Sequence, residues 1–324
     1  MFTQIIVKEN EMRREAISDF FIANHKLYST ENENMDIFDQ IGGSSVYEVI
    51  KIVDGIPLFF EEHIGRMKNS ARLSEMTICK NENEIMEEIS MLVKNNRCKN
   101  INVKLVQTWS EGKSLFLTCF IRSEYPGRKV YAQGIHTILF QGERKSPHIK
   151  TISSSFRDKV RKAREISGAY EALLVDEAGY IAEGSRSNIF FLKQGRIYTP
   201  PIETVLPGVT RRYVVQICKT LETQVREEPL HFGELPEIEG AFITGTTVDV
   251  LPISSVDDRK ILSASAPLIQ KIKEQYDEEV KTYVTLRQAQ GQAQGQAQGQ
   301  AQGQAQGPST ENRRVLLSSL RPGP

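Results

Sequence analysis

The amino-acid sequence predicts a mixed α/β (α+β) fold with two subdomains. The chain has 324 residues, longer than a single hydrophobic core usually grows. Strand and helix patterns follow one another irregularly, unlike the strict alternation of a doubly wound sheet. A Pro-Gly pair flanked by charged residues in SEYPGRK marks the best boundary. We therefore expect an N-terminal subdomain over residues 1–125, a C-terminal subdomain over 126–287 and a separate segment over 288–324.

The N-terminal half has the pattern of two hairpins and two helices. VYEVIKIVDGIPLFF alternates as two strands joined at Asp54-Gly55, a strong signal for a tight turn. The following EEHIGRMKNSARL is predicted to be helical. ENEIMEEISMLVKNN forms the second helix, because its apolar residues recur at three- and four-residue spacing. INVKLVQTW and SLFLTCFI form another hairpin across SEGK.

The C-terminal half mixes strands and helices. Strands are predicted at IHTILF, EALLVD, NIFFLK and RIYT, and helices from about Phe156 to Ile166, from the PGVTRR corner and over LIQKIKEQYDEEV, with Pro267 near its start. From Gln288, QAQG repeats five times through Gly307. Since this tract has nothing apolar to bury, residues 288–324 are predicted to be disordered, and an inert extension is favoured over an interaction tail.

Composition excludes several classes of function. Lysine plus arginine equals aspartate plus glutamate at 41 each, so no basic field favours nucleic acid. No apolar run is long enough for a membrane span. Four separated cysteines without a secretory leader indicate reduced, mostly packed thiols in a cytoplasmic, soluble protein. Scattered histidines predict no metal site, and the common nucleotide, zinc and serine-hydrolase motifs are missing. The expected partner is a small molecule or another protein chain.

Two turns and one acid carry the remaining chemistry. Gly208, Val209 and Thr210 expose backbone N–H groups at a helix start, where an anion such as phosphate is favoured, and Arg211 and Arg212 add charge. Many helices nevertheless begin after Pro-Gly merely to turn the chain. The TGTTVDVLP corner offers two threonine hydroxyls, although threonine is also a common strand residue. An isolated acid before a small-residue turn, in IAEGSRSN, is most often solvated.

Taken together, these residues closely resemble the fold-type IV (class IV) pyridoxal-phosphate enzymes: branched-chain and D-amino-acid aminotransferases and aminodeoxychorismate lyase. The family signature runs from an acid to a Gly-apolar-x-basic corner, and it is matched in order by Glu183, Ser185, Asn188, Ile189, Phe190, Ile197, Thr199, Leu206, Gly208, Val209 and Arg211. HIKTISSSFRDKVRKAREISGAYEALLVD resembles the segment that begins with the cofactor lysine. VYEVI followed by PLFFEEHIGRMKNSARL resembles the family's hairpin and its HxxR helix. The similarity covers about residues 38–255, apart from portions of 95–145.

The resemblance implies roles that composition could not assign. Lys150 is implied as the Schiff-base residue, although Lys145 and Lys159 are equal candidates by composition alone. Glu183 is implied to face the pyridine nitrogen of pyridoxal 5'-phosphate. The cofactor phosphate is implied to be bound by a helix arginine, a helix N-terminus and a threonine: Arg66, Gly208, Val209, Thr210 and Thr246. Thr247 and Tyr47 are implied on the substrate side.

The substrate side departs from the family pattern. LVQTWSEGKS lacks the arginine with which the D-amino-acid enzymes clamp the substrate carboxylate, and Lys104 or Lys113 are the candidates to replace it. Ser155 stands where the branched-chain enzymes have a tyrosine. Trp109 is a candidate for the pocket lining, although a single tryptophan in a strand is usually core.

The resemblance implies a homodimeric aminotransferase that moves an amino group between an amino acid, branched-chain-like or D, and a 2-oxo acid. Tyr47 in the VYE stretch favours transamination, because the lyase tends to have a phenylalanine-threonine type of sequence there; a packed strand tyrosine is the alternative. Two other functions stay open. One is an aminodeoxychorismate-type lyase that releases pyruvate, and the other is a catalytically silent protein that binds the cofactor or a partner.

Overall fold

The computed structural model describes residues 13, 15–41, 44–110, 112–123, 125–144, 146–151 and 154–305. Among these residues, helices with defined ends are α1 (Phe60–Leu73), α2 (Glu82–Asn95), α3 (Arg128–Gln133), α4 (Ser154–Ser167), α5 (Val209–Thr220) and α6 (Pro267–Ala305). Short 3-10 helices cover Asn32–Gln40, Ile202–Thr204, Phe232–Glu237 and Ser263–Ser265. The predicted helices are all present within these bounds.

Six strands form the first sheet, in the order β2-β1-β6-β5-β3-β4, with every neighbouring pair antiparallel. They are β1 (Phe20–Ala23), β2 (Lys26–Ser29), β3 (Ser44–Val53), β4 (Ile56–Pro57), β5 (Ile101–Ser110) and β6 (Lys113–Ile121). Asp54 and Gly55 join β3 to β4 with φ of 51° and 85°. Positive φ at both central residues is what a type I′ turn requires, so the Asp-Gly prediction is confirmed.

Ten strands form the second sheet, in the order β12-β11-β10-β14-β15-β7-β8-β9-β13, with β16 paired to β15. They are β7 (Ile135–Gln141), β8 (Glu171–Val175), β9 (Tyr180–Gly184), β10 (Asn188–Lys193), β11 (Arg196–Thr199), β12 (Val225–Glu227), β13 (Leu230–His231), β14 (Gly240–Gly245), β15 (Asp249–Val256) and β16 (Arg259–Lys260). The sheet is mixed, since β7 runs parallel to β8 and to β15 whereas β10 and β14 are antiparallel. The mixed α/β class predicted from the sequence is confirmed. The subdomain boundary at residue 125 stays a prediction.

Each sheet has a packed core. One face of the first sheet packs on α1 and α2 through buried residues such as Ile50, Met67 and Ile89. The second sheet packs on α5 and α6, where Phe190 stacks on Phe242 with ring centroids 4.9 Å apart. The alternation of apolar residues along β3 and the spacing along α2 therefore both come from burial of one face.

The two sheets meet at the start of β3. The backbone N–H of Tyr47 donates to the carbonyl of Lys150 at 3.0 Å, and Val46 forms an isolated bridge with Thr151. Phe59, between β4 and α1, stacks on Tyr213 of α5 with centroids 3.8 Å apart. These contacts bring the segment that carries Lys150 to the edge of the first sheet.

The C-terminal repeat departs from its prediction. α6 continues to Ala305, so residues 288–305 are helical rather than disordered; residues 306–324 lie outside the described residues. Glutamine and alanine favour helix, and the repeat extends a helix that Ile272 and Tyr276 already anchor in the core. Residues 288–293 are exposed, as expected for a tract that has nothing apolar to bury.

Candidate active site

β3 turns two neighbouring side chains to opposite faces of the first sheet. Tyr47 is half-buried on one face, whereas Glu48 is fully buried on the face that packs on α1. This follows from the two-residue period of a strand. The sequence did not indicate Glu48 as a site residue.

Glu48 binds Arg66 through two parallel hydrogen bonds. Arg66 Nε donates to Oε1 at 2.7 Å and Nη2 donates to Oε2 at 2.7 Å, while His63 Nδ1 lies 3.0 Å from Oε2. Burial alone would raise the pKa of the Glu48 carboxyl, but the charge and hydrogen bonds of Arg66 outweigh burial and hold that pKa well below its usual range. Arg66 Nη1 also donates to the Pro207 carbonyl at 3.3 Å. The predicted HxxR arginine thus lies beside the residue that precedes Gly208.

Lys150 is held between α1 and β3. Its backbone N–H donates to Ser70 Oγ at 3.4 Å, and its Nζ lies 5.2 Å from the centre of the Tyr47 ring. Loss of water around the amine and the nearby charge of Arg66 lower the pKa of the Lys150 ammonium to about 8, against the opposing effect of Tyr47 and Glu48. A larger fraction of this amine is therefore neutral near pH 8 than of an ordinary lysine.

Cations surround the Tyr47 phenol. Arg157 of α4 donates to the Tyr47 hydroxyl, and its guanidinium carbon lies 5.2 Å from the ring centre; Lys104 Nζ lies 5.0 Å from that centre. Burial alone would raise the pKa of Tyr47, but Arg157, Lys150 and Lys104 together lower it to about 7. The phenol therefore sits in a positive local potential.

Glu183 is the penultimate residue of β9 and is 3% exposed. Its Oε2 accepts a hydrogen bond from the Leu206 N–H at 3.1 Å. Oε1 lies 3.3 Å from Arg144 Nε, yet it is buried without a hydrogen-bond partner among the described residues, because that contact has ion-pair distance and not hydrogen-bond geometry. Burial raises the pKa of this carboxyl, although the charge of Arg144 opposes the shift. A buried acceptor of this kind calls for a donor.

The start of α5 forms a tight cradle. A Cβ on Gly208 would lie 2.0 Å from Asn188 Oδ1, so no larger residue fits without movement. Asn188 Nδ2 holds the loop by donating to the Leu206 carbonyl at 2.9 Å. Val209 and Thr210 are buried first residues of the helix, whose N–H groups have no intrahelical acceptor. The predicted anion corner therefore lies next to Glu183, through Leu206, and next to Arg66, through Pro207.

The two arginines of the corner have other partners. Arg211 donates to the Pro200 carbonyl at 3.0 Å and to Glu227 at 2.8 Å, and Arg212 donates to Glu62 at 3.2 Å. Each of their charges is paired with a carboxylate, so neither adds an uncompensated charge to the corner. This differs from the sequence-based expectation.

Thr246 and Thr247 lie in the turn between β14 and β15 and are half-buried. Thr244, two residues before Thr246, pairs with Asn188 across β14 and β10. The threonine turn and the loop that follows Glu183 therefore lie at one end of the second sheet.

A cavity of about 870 Å³ opens beside the cradle. Arg66, Pro207, Gly208 and Val209 line it, together with side chains of α1 and α5 such as Asn69 and Lys219. Lys150 and Glu183 are not among its lining residues. The cavity therefore adjoins the predicted phosphate end and not the lysine.

Several contacts could not be read from the sequence. Glu48 follows Tyr47 in an alternating strand, and this position was the available signal for burial; Arg144 and Arg157 offered no comparable signal. Lys104 is buried at 3% exposure, whereas Lys113 is exposed. Trp109 is 42% exposed, so the alternative of a core position is wrong, and its place in the pocket lining stays a prediction. The side chain of Ser155 lies outside the described residues.

Comparison with known proteins identifies the family. The family model for amino-transferase class IV matches residues 45–256, which is more than half of the chain. The chain belongs to the class IV aminotransferases. This enzyme family uses pyridoxal phosphate, so the predicted class of enzyme and its cofactor are both confirmed.

Individual relatives agree with this assignment. A putative branched-chain-amino-acid aminotransferase of Methanocaldococcus jannaschii is 27% identical over 79% of this chain and 94% of its own length. D-alanine aminotransferase of Bacillus licheniformis is 29% identical over 71% of this chain and 86% of its own. The solved branched-chain amino acid aminotransferase of Escherichia coli has a TM-score of 0.72 at 21% identity, covering 82% of this chain and 95% of that one. The fold-type IV assignment is thereby confirmed.

The described residues fit this family's cofactor. Three features surround one region. The Lys150 amine has a lowered pKa, Arg66 lies beside the helix N-terminus where Gly208 leaves no room for a Cβ, and Glu183 Oε1 has no hydrogen-bond donor among the described residues. Among the described residues no group of three or more metal-binding side chains lies together, and none of the described helices has the length and apolar character to cross a bilayer.

Proposed function

We propose that this class IV aminotransferase moves an amino group between an amino acid of the branched-chain class and a 2-oxo acid, with Lys150 as the residue that holds the cofactor. The observation that carries the site assignment is the buried Glu183 Oε1, which lacks a hydrogen-bond donor among the described residues and lies in the same region as the Lys150 amine. The substrate class rests on relatives, among them the Methanocaldococcus jannaschii protein described as a putative branched-chain enzyme.

Chain residues at two ends would hold the cofactor. Arg66, the N–H groups of Val209 and Thr210, and the Thr246 hydroxyl would bind the phosphate, since a guanidinium and a helix N-terminus both favour an anion. Because Gly208 has no side chain, the phosphate could approach the backbone closely there. Glu183 Oε1 would accept a hydrogen bond from the protonated pyridine nitrogen, which would give the buried oxygen its missing donor. When bound, pyridoxal phosphate supplies an electron sink for the substrate α-carbon.

Lys150 Nζ would move the proton of the reaction. A pKa of about 8 leaves part of this amine neutral at physiological pH, and a neutral amine accepts the proton from the substrate α-carbon. Tyr47 and Thr247 bind on the substrate side. Because the cations Arg157, Lys150 and Lys104 surround Tyr47, its neighbourhood favours a substrate that carries a carboxylate.

The assembly and compartment are proposals as well. We infer a homodimer from the family resemblance. The cytoplasm is favoured because all four cysteines are free thiols, two of them buried.

A screen of amino donors tests the proposal. The holoenzyme is incubated with single amino acids and 2-oxoglutarate, and glutamate is measured. We expect conversion of L-leucine, L-isoleucine and L-valine. Conversion confined to D-alanine contradicts the proposed substrate class. That outcome would match the name of the Bacillus licheniformis relative, a D-alanine aminotransferase. Pyruvate release from aminodeoxychorismate without any 2-oxo acid contradicts transamination, and no conversion of any donor indicates a silent protein.

A further inference from the structure

The candidate site lacks an assigned partner for the substrate carboxylate. In an amino acid the carboxylate is attached to the same carbon as the reacting amine. A group that binds the carboxylate must therefore lie close in space to Lys150 Nζ. It must also lie next to the ring of Tyr47, which is the proposed substrate-side residue. The side chains around Tyr47 are the place to search.

Arg157 meets this requirement from α4. Its Nη2 donates to the Tyr47 hydroxyl and to the carbonyl of Thr151 at 3.3 Å, one residue beyond Lys150. Its guanidinium carbon and Lys150 Nζ both lie 5.2 Å from the centre of the Tyr47 ring. One phenol therefore contacts both the reacting lysine and a planar cation whose fork geometry matches a carboxylate.

The other charged groups near Tyr47 have partners that place them differently from Arg157. Lys104 Nζ is bound to Glu15, and its side chain is only 4% exposed. Arg144 pairs with Glu183 at 3.3 Å, and Glu48, on the opposite face of β3, binds Arg66. Lys113, the other lysine considered from the sequence, is exposed at the β5–β6 hairpin. Lys104 and Arg144 add to the positive potential but are held by acids.

We propose that Arg157 binds the α-carboxylate of the substrate together with the Tyr47 hydroxyl, as the clamp that LVQTWSEGKS does not supply. The inference rests on the proposed aminotransferase function. It assigns the recognised class as 2-amino and 2-oxo acids, and it predicts discrimination against amines without a carboxylate.

The test compares matched substrates in matched variants. L-leucine and 3-methylbutylamine share one side chain and differ by the carboxylate. Arg157→Gln removes the charge, and Arg157→Lys keeps it without the fork. Arg161→Gln is the control, because Arg161 lies on the same helix, is 55% exposed and pairs only with Asp158 and Glu165 among the described residues. Steady-state kinetics give kcat and KM for each pair.

We expect Arg157→Gln to raise the KM for L-leucine roughly tenfold to a hundredfold, which is the range for a lost charged hydrogen bond. The value of kcat/KM for 3-methylbutylamine should change by a factor of only about two, as in Arg161→Gln. Arg157→Lys should recover part of the loss. Equal losses for L-leucine and 3-methylbutylamine overturn the proposal, since they indicate a structural role.

A binding measurement separates this proposal from the proposed function. Calorimetric titration with 4-methylvalerate, which has the carboxylate but no amine, uses no turnover. We expect Arg157→Gln to weaken its binding roughly tenfold or more and Arg161→Gln to leave it unchanged. The role of Arg157 is overturned by either of two results: wild type shows no detectable binding of 4-methylvalerate, or wild type and Arg157→Gln bind it with equal affinity. A wild type that binds 4-methylvalerate but converts no amino acid contradicts the aminotransferase proposal alone.

Discussion

A lysine amine withdrawn from water beside other cations is the chemical centre of this protein. Desolvation and the charge of Arg66 favour the neutral form of Lys150, whose pKa falls from 10.5 to about 8. The folded chain releases this proton between pH 8 and 10.5, where the unfolded chain keeps it. The resulting contribution to stability is complete above pH 10.5 and is lost as the pH falls through 8.

The acylation rate of Lys150 provides a direct reading of this pKa. Brief labelling of the cofactor-free protein with acetic anhydride, followed by mass analysis of the Lys150 peptide, should give a midpoint near pH 8. The same peptide labelled in urea is the control and should titrate near 10.5. Coinciding midpoints in the two conditions contradict the proposed environment.

Glu48 is predicted to hold Arg66 in place at the cost of a buried charge. Replacing Glu48 with Gln leaves the Arg66 guanidinium buried without its counter-ion, and one-sided loss of such a pair costs about 3–5 kcal/mol of unfolding free energy. Urea unfolding of the cofactor-free protein measures this. The control is Glu165→Gln, whose ion pair with Arg161 is more than half exposed, with an expected change of about 1 kcal/mol or less. Similar losses in both variants contradict the prediction.

Sequence reasoning locates the site residues that lie in a recognisable pattern and misses those defined only by packing. Glu183, Gly208 and Arg66 belong to local motifs whose spacing is visible in the chain. Arg157 contacts Tyr47 across 110 positions and Arg144 contacts Glu183 across 39, so no local pattern connects them.

At the scale of elements, the start of α5 is the most constrained place. Gly208→Ala brings a Cβ to 2.0 Å from Asn188 Oδ1, so the loop or Asn188 must shift. We expect a loss of about 1–3 kcal/mol in unfolding free energy, the usual cost of overpacking, and weaker binding of inorganic phosphate. Urea unfolding and calorimetry measure the two effects.

The Gly208 prediction has two controls. In an Asn188→Ala background the clash is relieved, so the added cost of Gly208→Ala should fall by about 1 kcal/mol or more. Gly65→Ala lies within α1, where a Cβ meets nothing within 4 Å, and should stabilise by roughly 0.5–1 kcal/mol. An unchanged cost of Gly208→Ala in the Asn188→Ala background contradicts the steric argument.

Most elements were predictable because their signals are local. The Asp54-Gly55 turn and the spacing along α2 each follow from a few adjacent residues, and α2 begins with a capping box formed by Asn81 and Glu84. Strand order was not predictable. β15 lies between β14 and β7, whose residues are separated by about a hundred positions along the chain, and such pairings depend on packing of the whole sheet.

At the scale of the whole molecule, the C-terminal repeat lengthens α6 beyond the residues that anchor it, and its Gln290 contacts Arg287 of the same helix at 3.2 Å. α6 is anchored by buried Ile269, Ile272, Tyr276 and Val284 and then continues into exposed residues. Truncation after Arg287 should therefore change the unfolding free energy by less than about 0.5 kcal/mol. Truncation after Ala266, which removes the anchoring residues, is the control and should prevent stable folding. A large loss of unfolding free energy on truncation after Arg287 contradicts an inert repeat.

The sheets are also joined by charge. Lys51 Nζ of β3 donates to Asp249 Oδ2 of β15 at 2.6 Å, across 198 positions of the chain. This pair follows the threonine turn directly, so it links the first sheet to the predicted phosphate and substrate residues. Neither partner stands out in the sequence, because each belongs to an ordinary strand.

The most direct test of the account is the attachment of pyridoxal phosphate to Lys150. The protein is incubated with pyridoxal phosphate, reduced with borohydride, digested and mapped by mass spectrometry, with Lys150→Ala as the matched control. The account predicts one phosphopyridoxyl group, on the Lys150 peptide, and none in the variant. A phosphopyridoxyl group on Lys145 or Lys159 with Lys150 unmodified would contradict the account.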